Sequence, residues 1–328
     1  MQARTLKDVL KSFPITSYQE TRYAYSDMIT SSQRLPFHSS IVRVFIDDIE
    51  ITCASKGSGF SIMGDTDLEF VDHIEIYSLN PSFEFSSEPV LVLVKLYTKV
   101  AQRDRGGKVA LSVGSRGYDK QSAYYTNTID DWAYFLYASN LDDKRERVQS
   151  LGTGINKDKT QQNYLLKLSN DDHKLLLQGD MTSRHLSANM SSDLTPLDTS
   201  VIDYERHSFG YVYKGIDNLK FLFSYEMYDS EMFLEDDNPF PIPPYNISSM
   251  RLDSKEKVLS TELTYKFKTD SNVLLLGAKY RDKSFVYSNF ELSGIPRTPS
   301  AYNNQNIAGL FAENRYQLAS NSIVTLGF

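Results

Sequence analysis

Residues 257–268 read Lys-Val-Leu-Ser-Thr-Glu-Leu-Thr-Tyr-Lys-Phe-Lys. From position 259 they alternate, with Leu259, Thr261, Leu263, Tyr265 and Phe267 on one side and Ser260, Glu262, Thr264, Lys266 and Lys268 on the other. A period of two is the geometry of a β-strand with one apolar and one polar face. Residues 220–228 repeat it, setting Phe221, Phe223, Tyr225 and Met227 against Ser224 and Glu226. Residues 207–214 set Phe209, Tyr211 and Tyr213 against Ser208, Gly210 and Lys214. Reading outward from these segments predicts about eleven strands, near 107–114, 120–128, 131–140, 159–169, 173–184, 204–214, 219–229, 256–268, 272–282, 306–317 and 322–328.

The connections carry as much information as the strands. Short polar turns join alternate pairs, at Asp130-Asp131, 170–172, 215–218, 269–271 and 318–321. Loops of unequal size lie between those turns, centred on 141–158, 185–203, 230–255 and 283–305. Tight turns on one rim and long loops on the other describe an up-and-down barrel of the outer-membrane type. A soluble sandwich has no reason to segregate its loop lengths this way. In lipid every backbone N–H and C=O must be paired internally, so a sheet spans a membrane only as a closed barrel. Aromatics near the strand ends, Trp132, Tyr164, Tyr213, Tyr228, Tyr280 and Tyr316, are then expected at the interfacial girdles. A soluble β-rich binding protein, with the aromatic face as its core, is the alternative that alternation leaves open.

Composition removes other classes. The longest aliphatic run, Val90 to Val94, ends at Lys95, and no apolar run approaches the ~20 residues of a membrane helix. Acidic residues outnumber basic ones 42 to 35, giving a net charge of −7, which argues against a nucleic-acid binder. A single Cys53 supplies neither a disulfide framework nor a Cys-based metal site. The five His, at 38, 73, 173, 185 and 207, are scattered without metal-ligand spacing. There is no GxSxG elbow, P-loop or Rossmann glycine pattern, so no enzyme is expected and no cofactor.

Residues 1–101 differ in character. Leu6, Val9, Leu10 and Phe13 fall at helical spacing before Pro14. A polar, Tyr-rich stretch from Tyr18 to Ser40 reads as loop. Three apolar runs, Ile41–Ile46, Val71–Tyr77 and Val90–Tyr97, have the β-branched and aromatic content of strands. Gly57-Ser-Gly59 reads as a connector. Together they describe a small α+β domain.

A mixed domain of this size before a long-looped barrel resembles the TonB-dependent receptors of bacterial outer membranes, in which a plug sits inside a 22-stranded barrel. Residues 2–14, QARTLKDVLKSFP, resemble the plug's early helix and turn. Residues 41–51, IVRVFIDDIEI, are similar to a plug hairpin, with Asp47-Asp48 where the family usually has Asp-Gly. VDHIEIY at 71–77 and VLVLVKLYTK at 90–99 resemble later plug strands, GGKVALSVGSRG at 106–117 the first barrel strand, and residues 306–328 a barrel hairpin. Residues 78–89 depart from the family, lacking its glycines.

The resemblance implies a plug over 1–101 followed by barrel strands over 102–328, an incomplete antiparallel transmembrane barrel. Eleven strands are half of 22, and no leader or TonB box is visible before Gln2, so the chain is expected to be an internal piece of a longer receptor; the alternative is that Phe328, closing the strand of Ser322, Val324 and Leu326 on an aromatic, is a true terminus. The function implied is active uptake of a scarce metal chelate, such as a ferric siderophore, across the outer membrane. The implied partners are the TonB complex of the inner membrane, outer-membrane lipid and the small chelate. A passive channel or adhesin barrel with a periplasmic N-terminal domain is the alternative. Candidate ligand contacts are Arg22, Tyr23, Tyr25, Arg34 and His38, an aromatic and basic mix suited to an anionic chelate. Phe233, Phe240 and Tyr245, on a proline-stiffened loop from Ser230 to Leu252, complete the set. No metal ligand is assigned.

Overall fold

The computed structural model describes residues 3–13, 16–20, 26–30, 42–78, 90–144, 148–150, 153–186, 199–242, 245–298, 303–319 and 322–327. Helix α1 (Leu6–Lys11) opens the chain, its Asp8 side chain accepting from the Thr5 backbone N–H. A small hairpin follows, β1 (Thr16–Glu20) against β2 (Ser26–Thr30), so part of the stretch expected as loop is paired strand. Four strands then form a mixed sheet in the order β4-β3-β6-β5: β3 (Val42–Ile46), β4 (Ile49–Ile51), β5 (Val71–Ser78) and β6 (Val92–Thr98). The turn between β3 and β4 is Asp47-Asp48, with Asp47 at φ 51°, a left-handed conformation that Asp tolerates better than most residues. Gly57-Ser-Gly59 leads into the short helix α2 (Phe60–Met63). Gly59 is fixed by packing, since a Cβ there would lie 2.2 Å from the Ile51 carbonyl oxygen.

Helix α3 (Ala101–Asp104) passes the chain to a large antiparallel sheet. Its strands in order are β7 (Gly106–Val113), β8 (Tyr118–Ile129) and β9 (Trp132–Asp143). A side hairpin of β10 (Val148–Ser150) and β11 (Thr153–Ile155) interrupts the sequence. The large sheet resumes with β12 (Lys159–Ser169), β13 (His173–His185), β14 (Val201–Ile216), β15 (Leu219–Ile242), β16 (Tyr245–Lys268) and β17 (Asn272–Leu292). It ends with β18 (Ile295–Pro296), which pairs only with β17, then β19 (Asn304–Ala319) and β20 (Ser322–Gly327). Apart from β18 and the β10–β11 hairpin, the strands from β7 to β20 pair in sequence as a meander of the eleven strands expected from alternation.

The tight rim is built from the expected polar turns. Asp130 (φ 51°) and Asn218 (φ 63°) supply left-handed positions, and the Asn170 side chain accepts from the backbone N–H groups of Asp172 and His173. The opposite rim differs from expectation. Segment 230–252 is largely a hairpin, because β15 and β16 continue pairing to Ile242 and Tyr245, with one irregularity between Glu235 and Phe240.

Alternation sorts the side chains of the large sheet. Phe209, Met227, Leu263, Phe267, Leu276, Tyr280 and Leu310 point outward and are exposed. Leu165, Leu176, Val212 and Leu222 point inward and join one apolar cluster with the small domain's Leu6, Leu10, Val44, Ile49, Phe60 and Val94. The small domain is thus held against the inner face as a plug. Of the aromatics named near strand ends, Trp132, Tyr280 and Tyr316 lie exposed on the outward face, and alternation puts Tyr164 and Tyr213 on the same side. Tyr228 does not: it is buried on the inward side, stacked on Tyr204 with ring centroids 5.7 Å apart, next to the plug's Cys53 and Ile62.

Candidate functional site: the plug–wall interface and the inner wall above it

The plug segment from Asp47 to Asp67 runs along the inner wall, starting beside the tight-turn rim at Lys174, Lys214 and Lys220. At the lower end, Asp48 receives Lys174 at 2.8 Å and Lys214 and Lys220 at 3.5 Å, from β13, β14 and β15. Burial alone would raise the Asp48 carboxyl, but the charges of Lys220, Lys174 and Lys214 outweigh it and hold the group far below the ordinary carboxylate range. Asp47 accepts from the Thr98 backbone N–H and hydroxyl at 3.0 Å each and pairs with Lys167 of β12 at 3.5 Å. One residue on, Ile49 seats against Gly210 of β14, where a Cβ would come within 2.5 Å of the isoleucine side chain. Only glycine leaves room for that approach.

Higher up, wall carboxylates join the wall cations as partners. Glu50 is held between Arg43, at 2.9 Å, and Arg281 of β17. The Thr52 backbone N–H donates to Glu226 of β15 at 3.0 Å, and the Ser55 backbone N–H donates to Glu256 of β16 at 2.9 Å. Arg206 of β14 sits between Asp180 at 2.7 Å and Glu226 at 3.5 Å, and donates to the Met63 sulfur at 3.6 Å. Asp65 meets Lys7 of the plug, Arg184 at 3.2 Å and Lys159 at 3.6 Å. Burial would raise the Asp65 carboxyl, but Lys159, Arg184 and Lys7 together hold it well below its usual value. Asp67 closes the series, accepting from the Tyr137 hydroxyl and lying 3.4 Å from Lys120. A buried charge costs several kcal/mol unless paired, and here carboxylates and cations are matched across the interface. Chemically, the arrangement joins one body to another through paired charges and backbone hydrogen bonds.

Above the plug, the inner wall turns apolar. Leu186, Ile202, Met232 and Leu234 form a buried cluster with Met250 and Leu252 packed on it. Alternation in 230–252 hid this signal among acidic residues and prolines; the spacing of two between Met232 and Leu234, and between Met250 and Leu252, was the trace of it.

The sequence-derived ligand residues are only partly placed. Arg22, Tyr23, Tyr25, Arg34 and His38 lie outside the described residues. Phe233 is on β15 between inward-facing Met232 and Leu234, so alternation turns it to the outer side, opposite Val201 and Arg251. Phe240 and Tyr245 are in the paired hairpin, Phe240 opposite Ile247 and Tyr245 opposite Ile242, and no contact among the candidates is described. Among the described residues no group of three or more His, Cys, Asp and Glu side chains is arranged to hold a metal ion.

No protein-family model matches the chain, and no curated protein matches it in sequence. Solved structures do. The copper transporter OprC is similar with a TM-score of 0.70 at 10% identity, over 98% of this chain and 51% of OprC. The unliganded ferric citrate transporter FecA gives 0.68 at 15% identity, over 99% and 53%. The FrpB iron transporter from Neisseria meningitidis gives 0.70 at 12% identity, over 100% and 56%. The chain spans about half the length of these proteins. The neighbours are TonB-dependent receptors, transporters and not enzymes. This chain has the fold of the TonB-dependent receptors: their plug, packed against the inner face of about half their barrel.

Proposed function

We propose that this protein serves active uptake of a metal chelate, of the ferric-siderophore class, across the bacterial outer membrane, with energy supplied by the inner-membrane TonB complex. In this reading residues 1–101 are the plug and 102–328 are barrel strands embedded in outer-membrane lipid. The observation that carries it is the plug segment Asp47–Asp67, held to the wall by charge pairs and backbone hydrogen bonds and not by an apolar core alone. An occupied lumen supports gated uptake over a passive channel. The outward apolar band of the large sheet, with Leu263, Phe267, Leu276 and Leu310 exposed, fits lipid. Arg22, Tyr23, Tyr25, Arg34 and His38 are assigned to the plug's ligand face, and Phe240 and Tyr245 to the hairpin over it. Phe233 keeps its place on that hairpin, on the outer side.

The large sheet is open at β7 and β20, each with one neighbour among the described residues. Ten successive antiparallel steps make these two edge strands run the same way. Antiparallel closure therefore takes an odd number of further strands, and unpaired edges do not persist in lipid. The test of function is uptake of radioactive iron, offered as ferric citrate or as ferric enterobactin, by cells carrying the closed receptor. Uptake that disappears when TonB is deleted supports the reading. Equal iron entry with and without TonB points to a passive pore.

A further inference from the structure

From Asp47 to Glu69 the plug carries six carboxylates and one lysine. The ion pairs at Asp47, Asp48, Glu50, Asp65 and Asp67, and that of Glu69 with Lys108 at 3.2 Å, share one polarity across the interface. In each the anion belongs to the plug and the cation to the wall. The wall's own buried carboxylates are met in other ways. Asp180 and Glu226 pair with Arg206 of the wall itself, while Glu226 and Glu256 accept from backbone N–H groups of the plug. The paired wall cations also extend along the strands. Lys159 and Lys167 are eight residues apart on β12, about 27 Å at ~3.4 Å per residue.

We propose that this wall carries a multiply charged anion: the plug's carboxylates hold the places of the cargo's own oxygen anions, and a polycarboxylate or comparably acidic chelate takes over the wall cations in succession. The places are already built for carboxylates. Three lysines from three strands converge on Asp48, which stands where the resembled hairpin usually carries glycine, and Lys159 and Arg184 converge on Asp65. Those cations hold both carboxyls in the charged form, far from protonation at neutral pH. A wall cation handed from one carboxylate to another stays paired throughout. A neutral or cationic cargo, by contrast, strips the cation of its partner and leaves the desolvation of a buried charge uncompensated. A wall lined with one sign of charge also concentrates ions of the other sign.

The inference rests on the uptake reading and names the charge of its cargo, but its test needs no transport. Hydrogen exchange read by mass spectrometry, on the whole chain in detergent micelles at pH 7, follows peptides covering 47–52 and 63–69. Millimolar citrate is the polyanion, and sodium chloride at equal ionic strength is the control. In the parent, citrate competes with the plug's carboxylates and is expected to speed exchange in both peptides severalfold beyond chloride. In Asp48→Asn the three lysines lack their anion, so exchange over 47–52 starts fast. Citrate is expected to slow it severalfold by taking that place, and chloride is not. Opposite responses of parent and variant to the same anion support the proposal. Responses of one sign, chloride equal to citrate, or indifference to citrate overturn it. Should Asp48→Asn not fold, Asp67→Asn, facing Lys120 and Tyr137, carries the same comparison over 63–69. Loss of TonB-dependent iron uptake alone strikes the functional reading and leaves the anion exchange at the wall standing. Intact uptake with no citrate response strikes the charge of the cargo alone.

Discussion

Asp65 shows how single residues hold the two bodies together. Replacing it with Asn leaves Lys7, Lys159 and Arg184 facing one another without their shared anion. Removing one partner of a buried ionic cluster costs about 3–5 kcal/mol. Its folded pKa lies below the unfolded value of 3.8, so its contribution is fully present above pH 3.8 and is lost only as pH falls through the lower folded value. Urea unfolding of the plug in detergent, followed by protease cleavage, is therefore expected to give parent midpoints that Asp65 keeps flat from pH 7 to pH 5. Asp65→Asn should lower the midpoint at every pH in that range. Of these interface residues, only the Asp47-Asp48 dipeptide was singled out in the sequence. The rest were not legible, because Lys159, Arg184 and Arg206 look like ordinary polar-face residues until the plug arrives beside them.

At the scale of the strand, alternation was the decisive signal. It located the eleven meander strands because each side chain of the sheet turns either to the plug or to the outer surface, which fixes a period of two. It misread two elements. The β1–β2 segments read mostly polar in sequence, and the upper part of β15–β16 turns Glu231, Phe233 and Glu235 outward while Met232 and Leu234 turn in, so the polar residues masked a continuing strand. Tyr228 was misassigned to the girdle by one step of register, and its neighbour Met227 is the outward residue. Leu263 tests the band directly, being outward, exposed and central on the apolar face of β16. Leu263→Arg is expected to destabilise the folded protein in liposomes by about 2–4 kcal/mol, as a charge at mid-bilayer does on a lipid-facing strand. The same change at Ser254, on the inward face, would report on the plug instead. Urea titration of the liposome-embedded protein, followed by tryptophan fluorescence, reads the shift.

For the whole molecule, the fold was legible and the ligand was not. Order and spacing of weakly matching segments were enough to place a plug before a long-hairpin barrel. The expected ligand contacts rested on loops, whose shape no sequence pattern predicts. The claim beneath both readings is that the aromatic and aliphatic face of the large sheet touches lipid. The chain carries one tryptophan, Trp132, outward on β9 beside the tight-turn rim and stacked on His173 at 6.2 Å. Its fluorescence in liposomes, with spin-labelled lipids as quenchers, tests that claim most directly. The account predicts strong quenching by labels placed near the headgroup, weaker quenching by labels at the chain end, and protection from aqueous acrylamide. Free quenching by acrylamide, with indifference to both lipid labels, would contradict it.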